Sequence, residues 1–397
     1  MKEAFRKIAA MMHQAEPEAH FAFEFGDGER LCYGGSIHSP DVTLRFKSPE
    51  ACRRIIADGF LGFGEAYMDG DIELDGDLPE LLRLGMRIGF DQRSPSPWQR
   101  ILFWAYRVFA RNNRSHASQN VSHHYDRGED FYSLYLDPTM TYSCAYFRNP
   151  DDSLERAQVQ KYDHIARKLL LKPGETLLDI GCGWGGMLFH AAGNYGVSAL
   201  GNTVSMPQYD YIQEKRKELG LENKIRVILE DYRNLDGKFD KVVSIGMFEH
   251  VGRKFIPAFM RRVNGLLKDG GLGLLHTIGR DKASSGDPWT WKYIFPGYYI
   301  PALDEIVREM GAAGFSVCDV ENLRLHYART LDLWAENFER NADEVRRMFD
   351  DRFVRMWRLY LRGSSASFKY GELRVFQVLF SKGLSGDLPT TRDYVYS

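Results

Sequence analysis

No two cysteines of this 397-residue chain form a CxxC pair, and the five present (Cys32, Cys52, Cys144, Cys182 and Cys318) are an odd number. A zinc ribbon, a thioredoxin-type redox motif and a disulfide scaffold are therefore disfavoured. Long apolar runs are also missing. The longest stretch free of Asp, Glu, Lys and Arg is Ile180–Tyr209, and it is broken by glycines, Asn, Ser, Thr and Pro, which does not suit a membrane span. No apolar stretch follows Met1–Lys7 in the manner of a signal peptide. Neither sign of charge is in excess, with 52 Lys+Arg against 54 Asp+Glu. Attraction to an anionic partner would have to come from a local patch. His123, His124 and His326 have no metal-ligand spacing, so no metal is expected. There is no internal repeat and no low-complexity tract. The expectation is a cytoplasmic, soluble protein, peripheral to a membrane at most.

What is present is enough for a large core: 44% of residues are hydrophobic, and the length suggests about two to three domains. Residues 1–91 read as a small N-terminal α+β accessory domain. Phe21–Phe25 and Val42–Phe46 alternate like strands. Ser48-Pro49-Glu50 starts a short helix that Gly59 ends, and Gly62–Asp71 is a glycine-punctuated turn region. Residues 92–125 contain no Asp or Glu. Arg100, Arg107, Arg111 and Arg114 are spaced seven, four and three apart, among Trp98, Ile101, Leu102, Phe103, Trp104, Val108 and Phe109. That spacing makes one helical stripe. A basic aromatic helix suits an anionic membrane surface; a linker helix with solvated arginines is the plainer alternative. Nucleic acid is disfavoured, because the patch is single and the rest of the chain is acidic.

Residues 126–397 read as the main domain. Glu155–Leu171 is helical by period and stops at Lys172-Pro173-Gly174. Thr176–Ile180, Val197–Leu200, Ile225–Leu229, Lys241–Ile245 and Leu272–His276 are short strands separated by helical patterns. This alternation signals an α/β fold with a doubly wound, mainly parallel sheet. From Leu331 to Leu379 the chain reads as mostly helical, with Phe349, Phe353, Met356, Trp357 and Tyr360 at helical spacing.

Leu177–Gly186 is strand, glycine loop and helix start. Its glycines permit a tight turn and close approach to a ligand, and a helix N-terminus favours negative charge. Gly181-x-Gly183-x-x-Gly186 also fits a dinucleotide fingerprint. That fingerprint calls for an acid about 20 residues on, and Leu200–Gln208 has none. Asp179, just before the first glycine, can order the loop or meet the amino group of an amino-acid-like ligand. The combination favours S-adenosylmethionine over a nicotinamide cofactor.

Several longer strings carry a family resemblance. They are His124-Tyr125-Asp126, Thr141–Tyr146, Leu178–Gly186, Gly246–Gly252, Leu275–Gly279, Asp287-Pro288-Trp289 with Lys292–Pro296, His326-Tyr327-x-x-Thr330-Leu331, and Phe353-x-Arg355-Met356-Trp357. Over roughly residues 120–380 the chain resembles the cyclopropane fatty acid synthases, including the mycolic acid cyclopropane synthases. Gly64–Gly70 also resembles the accessory domain of the phospholipid-acting members. The resemblance implies a class I S-adenosylmethionine-dependent methyltransferase fold, Rossmann-like, with a helical cap over the acyl chain. It implies a cis double bond in a phospholipid acyl chain as substrate and a cyclopropane ring as product. The enzyme would act peripherally at the inner face of the membrane and could be a homodimer. S-adenosylmethionine would meet Tyr142, Ser143, Asp179, Gly181, Cys182, Gly183, Thr203, Gln208, Asp231 and Tyr232. A bicarbonate ion would serve as base, held by Cys144, Glu249, His276, the backbone of Ile278, and Tyr327.

The chemistry needs such parts. An alkene is a weak nucleophile and must face the sulfonium methyl in line, in a dry pocket. Methyl transfer leaves a carbocation, which aromatic faces can stabilise, and a base must then take a proton so that the ring can close. A carboxylate touching the cation risks ester formation; a small exchangeable anion does not. Glu249 follows the strand Val242–Ile245, and His276 ends another strand on the same rim, where open α/β sheets bind ligands. The plain alternatives are an acid near a helix N-terminus and a structural histidine. Cys144 could be a nucleophile, an inert buried thiol or a weak donor to an anion. Tyr327 could orient the base or simply pack. Asn202 stands where relatives usually carry an apolar residue, and Met206-Pro207 is atypical. Competing functions are a fatty-acyl methyltransferase giving a methyl-branched or methylene product, a non-catalytic lipid-binding protein, and methylation of a soluble small molecule.

Overall fold

Residues 1–34, 40–90, 128–284, 286–385 and 387–396 are described by a computed structural model of the chain. The basic aromatic helix expected over 92–125 lies outside the described residues, as does the His124–Asp126 string. The described chain forms two units. One comprises residues 1–90, 286–296 and 334–372; the other comprises 128–284, 297–333 and 373–396. The linear division at residues 91 and 126 is thereby corrected. The helices Pro288–Tyr293, Ala342–Met348 and Asp351–Lys369 belong with the N-terminal residues rather than with the main sheet.

In the first unit, alternating side chains make a four-stranded sheet of β1 (Phe21–Glu24), β2 (Arg30–Tyr33), β3 (Val42–Phe46) and β4 (Ile72–Gly76), ordered β2-β1-β3-β4. β1 and β3 fall where the alternation put them. The helix Lys2–Ala15 buries Phe5, Ile8, Ala9 and Met12, one helical stripe, and the Phe5 ring meets Phe46 at 4.7 Å. Ser48 caps the next helix, its Oγ accepting from the Ala51 N–H at 3.3 Å. Gly59 (φ 56°, ψ −130°) breaks that helix, which then resumes and runs to Met68. Gly62–Met68 is therefore helix and not the expected turn. Gly64 serves close packing: a Cβ there would lie 2.4 Å from the Trp289 indole. The added helices are tied in by Lys292 Nζ and Tyr293 OH on Glu65 Oε1, at 2.6 and 2.8 Å, and by an Arg355–Glu73 fork.

The second unit is built on a seven-stranded sheet. Its strands are β5 (Thr176–Ile180), β6 (Ser198–Thr203), β7 (Ile225–Leu229), β8 (Phe239–Ile245), β9 (Leu267–Arg280), β10 (Phe315–Asn322) and β11 (Leu373–Lys382), ordered β10-β11-β9-β8-β5-β6-β7. β9-β8-β5-β6-β7 are mutually parallel. β11 is antiparallel to both of its neighbours. Alternate residues of β5 enter two apolar layers, Leu177 in one and Leu178 in the other, as a sheet covered on both faces requires. The helical expectation for Leu331–Leu379 fails at β11. Val375, Phe376, Val378, Leu379 and Phe380 are all buried, and such a run of β-branched and aromatic residues suits a central strand. Chain order reverses between β5 and β8, so a crevice opens at the carboxyl ends of these strands.

Candidate active site

The loop after β5 is shaped by glycine. Gly181, Gly183 and Gly185 have φ of 77°, 55° and 87°, and a Cβ on Gly181 would lie 2.5 Å from Met247 Cγ. The loop is held from β6: the Cys182 N–H donates to the Asn202 carbonyl at 2.9 Å, and the Gly181 N–H to Asn202 Oδ1 at 3.2 Å. Asn202 Nδ2 in turn donates to the Glu230 carbonyl at 2.9 Å. The residue that departs from the family pattern is thus a clamp joining the ends of three strands. Met206-Pro207 opens the helix Met206–Glu218, with Pro207 in the first turn, where its missing N–H costs nothing.

This loop walls a cleft with a cavity volume of about 160 Å³. All ten residues expected to meet the cofactor line it: Tyr142, Ser143, Asp179, Gly181, Cys182, Gly183, Thr203, Gln208, Asp231 and Tyr232. Thr203 Oγ1 donates to Gln208 Oε1 at 2.8 Å. Asp231 is forked by its neighbour Arg233 at 2.7 and 2.6 Å, and Tyr232 sits edge-on to Phe259. Asp179 Oδ1 is buried with no hydrogen-bond partner among the described residues, so the cleft offers an acceptor to a ligand's donor.

The cleft also holds groups that sequence reasoning missed. Lys161 is fully buried and donates to Ser143 Oγ at 2.9 Å. Burial lowers its pKa and raises that of Asp179, while their opposite charges partly restore both. His250 lines the cleft as a neutral ring, pushed down to about 4 by burial. The signal for Lys161 was its helix. Leu154–Lys168 buries Gln158, Lys161, His164 and Lys168, spaced three, three and four, so this helix turns a polar face inward.

The second expected set lies beside the cleft strands. Glu249 sits in the turn Phe248–His250 after β8. Its Oε1 accepts from the Ile278 N–H at 2.5 Å, while Oε2 is buried without a hydrogen-bond partner at ordinary distance among the described residues, the Thr277 side chain bordering the carboxyl. Burial raises its carboxyl to about 7. His276 pairs with Ile245 across β8–β9, and its carbonyl accepts from the Gly246 N–H at 2.9 Å. Burial pushes the imidazole well below its usual range, so it is neutral. Cys144 Sγ lies 3.2 Å from the Ala145 carbonyl and 3.9 Å from the Leu323 carbonyl. Burial pushes its thiol up, which leaves a weak donor and not a nucleophilic thiolate. The half-buried Tyr327 donates its N–H to that same Leu323 carbonyl at 3.1 Å. The structure therefore joins Glu249 to Ile278 and brings Cys144 and Tyr327 to one carbonyl. Among the described residues, no three or more His, Cys, Asp or Glu are grouped to hold a metal ion.

The family model for mycolic acid cyclopropane synthetase matches residues 112–378, and a domain of unknown function (DUF7884) matches 9–88. A probable fatty acid methyltransferase of Pseudomonas putida is 38% identical over 385 residues, covering 93% of this chain and 94% of that one. The cyclopropane-fatty-acyl-phospholipid synthase of Escherichia coli K12 is 38% identical over 356 residues, covering 89% and 91%. Among solved structures, the cyclopropane synthase MmaA2 of Mycobacterium tuberculosis is 35% identical with a TM-score of 0.64, covering 67% of this chain and 98% of its own. The mycolic acid cyclopropane synthase CmaA1, solved with SAH and CTAB, is 36% identical with the same TM-score and coverage. A glycine-walled cleft at the switch point of a parallel sheet, matched over most of the chain by these relatives, places the protein in the mycolic acid cyclopropane synthetase family, as an S-adenosylmethionine-dependent methyltransferase.

Proposed function

We propose that this enzyme adds a carbon from S-adenosylmethionine to the cis double bond of an unsaturated acyl chain in a membrane phospholipid and closes a cyclopropane ring, with hydrogen carbonate as the base. The names of the Escherichia coli relative and of the mycobacterial synthases support the substrate class and the ring. The observation that carries the base is Glu249: one carboxylate oxygen is clamped by a backbone N–H, and the other is buried with no hydrogen-bond partner among the described residues at ordinary distance, the Thr277 side chain bordering the carboxyl. The hydroxyl of a hydrogen carbonate ion is such a partner. The protonated Cys144 thiol and the neutral imidazole of His276 can donate to its oxygens, with Tyr327 on the Cys144 side. These residues fit a small oxyanion.

The cleft fits S-adenosylmethionine on similar grounds. Asp179 Oδ1 would accept from the amino group, the turned backbone at Gly181–Gly183 would admit the methionine part, and Asp231 with Tyr232 would border the adenosine part. Bound there, S-adenosylmethionine supplies an electrophilic methyl and hydrogen carbonate supplies a base. The chain's own residues do the rest. Gly181–Gly183 and Asn202 fix the cofactor loop, the aromatic side chains of Tyr142, Trp184 and Tyr232 line the cleft, and Glu249 would hold the ion. No helix among the described residues is long and apolar enough to cross a membrane. Arg100, Arg107 and Arg111 supply the attraction to an anionic membrane face, and changing all three to Glu should weaken sedimentation with anionic liposomes at low salt.

A second reading, a methyl-branched or methylene product, is favoured by the name of the Pseudomonas putida relative. Incubation with unsaturated phospholipid vesicles and S-adenosylmethionine, followed by mass analysis of the acyl chains, separates the two. One added CH2 with no alkene left means a ring; retained unsaturation or a saturated branch means the second reading.

A further inference from the structure

One ring nitrogen of His276 has a side-chain partner on the neighbouring strand. Nδ1 lies 3.2 Å from Gln377 Nε2, and Gln377 is the residue opposite His276 in the antiparallel β9–β11 register. The amide oxygen of Gln377 receives a hydrogen bond from Lys168 Nζ at 3.0 Å. An ammonium donates and cannot accept, so the amide turns its oxygen to Lys168 and its NH2 to His276. Nδ1 then faces a donor and must be the bare nitrogen. Lys168 is fixed in its turn. Its Nζ is 2.5 Å from Glu321 Oε2, which is 2.7 Å from His164 Nε2, and Glu321 sits opposite Gln377 across β10–β11. Gln377, Lys168 and His276 are each no more than 2% exposed, so bulk water offers no competing partners.

We propose that Gln377 and Lys168 act as positioning residues that set the tautomer of His276, leaving its proton on Nε2 as a fixed donor to a small oxyanion held by Glu249. This rests on the reading of hydrogen carbonate as the base. The chemistry gives the arrangement a purpose. An anion that must accept a proton from substrate has to be held by donors that do not protonate it first. A neutral imidazole with its proton on Nε2 meets that need; an imidazolium would surrender its proton to the ion, and a ring protonated on Nδ1 would face the ion with a lone pair. The Lys168 ammonium, balanced by Glu321, orients the amide without adding net charge to the pocket.

The test uses the full-length enzyme labelled with 15N-histidine. Long-range proton–nitrogen spectra of the wild type should show His276 protonated on Nε2 and bare at Nδ1 at neutral pH, with the assignment made by loss of the signal in His276→Gln. Gln377→Glu puts an acceptor against Nδ1, and the proton should move there. The hydrogen carbonate concentration giving half-maximal rate should then rise about tenfold or more, while S-adenosylmethionine affinity by calorimetry stays within about twofold. Lys168→Arg keeps a donor to the amide and should retain the wild-type tautomer. A wild-type ring protonated on Nδ1 overturns the proposal, as does a Gln377→Glu enzyme with unchanged hydrogen carbonate dependence. If Gln377→Glu fails to fold in a thermal melt, the wild-type and Lys168→Arg spectra decide alone. A wild-type rate indifferent to hydrogen carbonate sinks the base itself, whereas an Nδ1-protonated ring sinks only the tautomer assignment.

Discussion

The cofactor cleft and the Glu249 pocket draw on the ends of the same parallel strands but are made of different material. The loop wall of the cleft is mostly backbone, three glycines with positive φ and an asparagine holding the loop, with the buried ionisable groups Asp179, Lys161 and His250 lining the rest. Around Glu249 and His276 the working groups are side chains, an acid and an imidazole whose protonation burial has moved. One helix serves both. Leu154–Lys168 places Lys161 beside the cleft and Lys168, through Gln377, behind His276. Backbone sites gain binding by shape, and their faults appear as lost affinity. Pockets of buried ionisable groups gain chemistry at a cost in stability, and their faults appear as lost turnover.

The sharpest way to break that contrast is Glu249→Gln. Turnover should fall by about 10²–10⁴-fold, while S-adenosylmethionine affinity stays within about threefold. Equal losses in both would mean that the two regions are not separable. The same variant should reveal the cost of the pocket. The Glu249 carboxyl is held at about 7 in the fold against an ordinary 4.5, so the native state binds its proton more tightly than the unfolded chain. Stability therefore falls as pH rises from 4.5 to 7 and stays lowered above that, by roughly 3 kcal/mol. The amide of the variant cannot ionise. In urea unfolding without ligands, the variant should exceed wild type by about that amount at pH 8, and the gap should close near pH 4. A gap that widens on acidification would reverse the sign of the argument.

The cleft is tested by Gly181→Ala. The new Cβ collides with Met247 at 2.5 Å, on a backbone with φ of +77°. Strain of about 1–3 kcal/mol should appear as a 10- to 100-fold loss of cofactor affinity, with the chemical step little changed once the cofactor is saturating.

How much was legible follows from the same contrast. The glycine loop and the strands β5 to β9 announce themselves within a few residues, by period and by turn residues. The ten residues expected to meet the cofactor share the cleft chiefly because the ends of β5, β6 and β7, which carry Asp179–Gly183, Thr203 and Asp231–Tyr232, are brought together by the parallel topology. Cys144, Glu249 and Tyr327 come from separate segments, with His276 and Ile278 together on β9; topology put Glu249 and His276 on one rim, and only the resemblance joined the whole set. Lys161, Lys168 and Gln377 were easily passed over, since charged residues at helical spacing ordinarily mark a solvated face and a lone Gln in an apolar run marks nothing. β11 was hidden for a related reason: a strand buried on both faces has no alternation, and the helical pattern ahead of it ran on unopposed.

Asn202 gives the finest comparison, because it is a side chain inside a loop wall made mostly of backbone. Its Oδ1 holds the Gly181 N–H and its Nδ2 holds the Glu230 carbonyl, and it is 3% exposed. Asn202→Val restores the apolar character usual among relatives and removes both bonds. The Gly181 N–H and the Glu230 carbonyl then lose a buried partner, at about 1–2 kcal/mol in total stability. The Cys182 N–H bond to the backbone carbonyl of residue 202 survives, since no side chain makes it. If backbone shape alone defines the cleft, cofactor affinity in calorimetry should fall less than about fivefold, well short of Gly181→Ala. A loss as large as that of Gly181→Ala would show that this chain holds its loop by the Asn202 side chain.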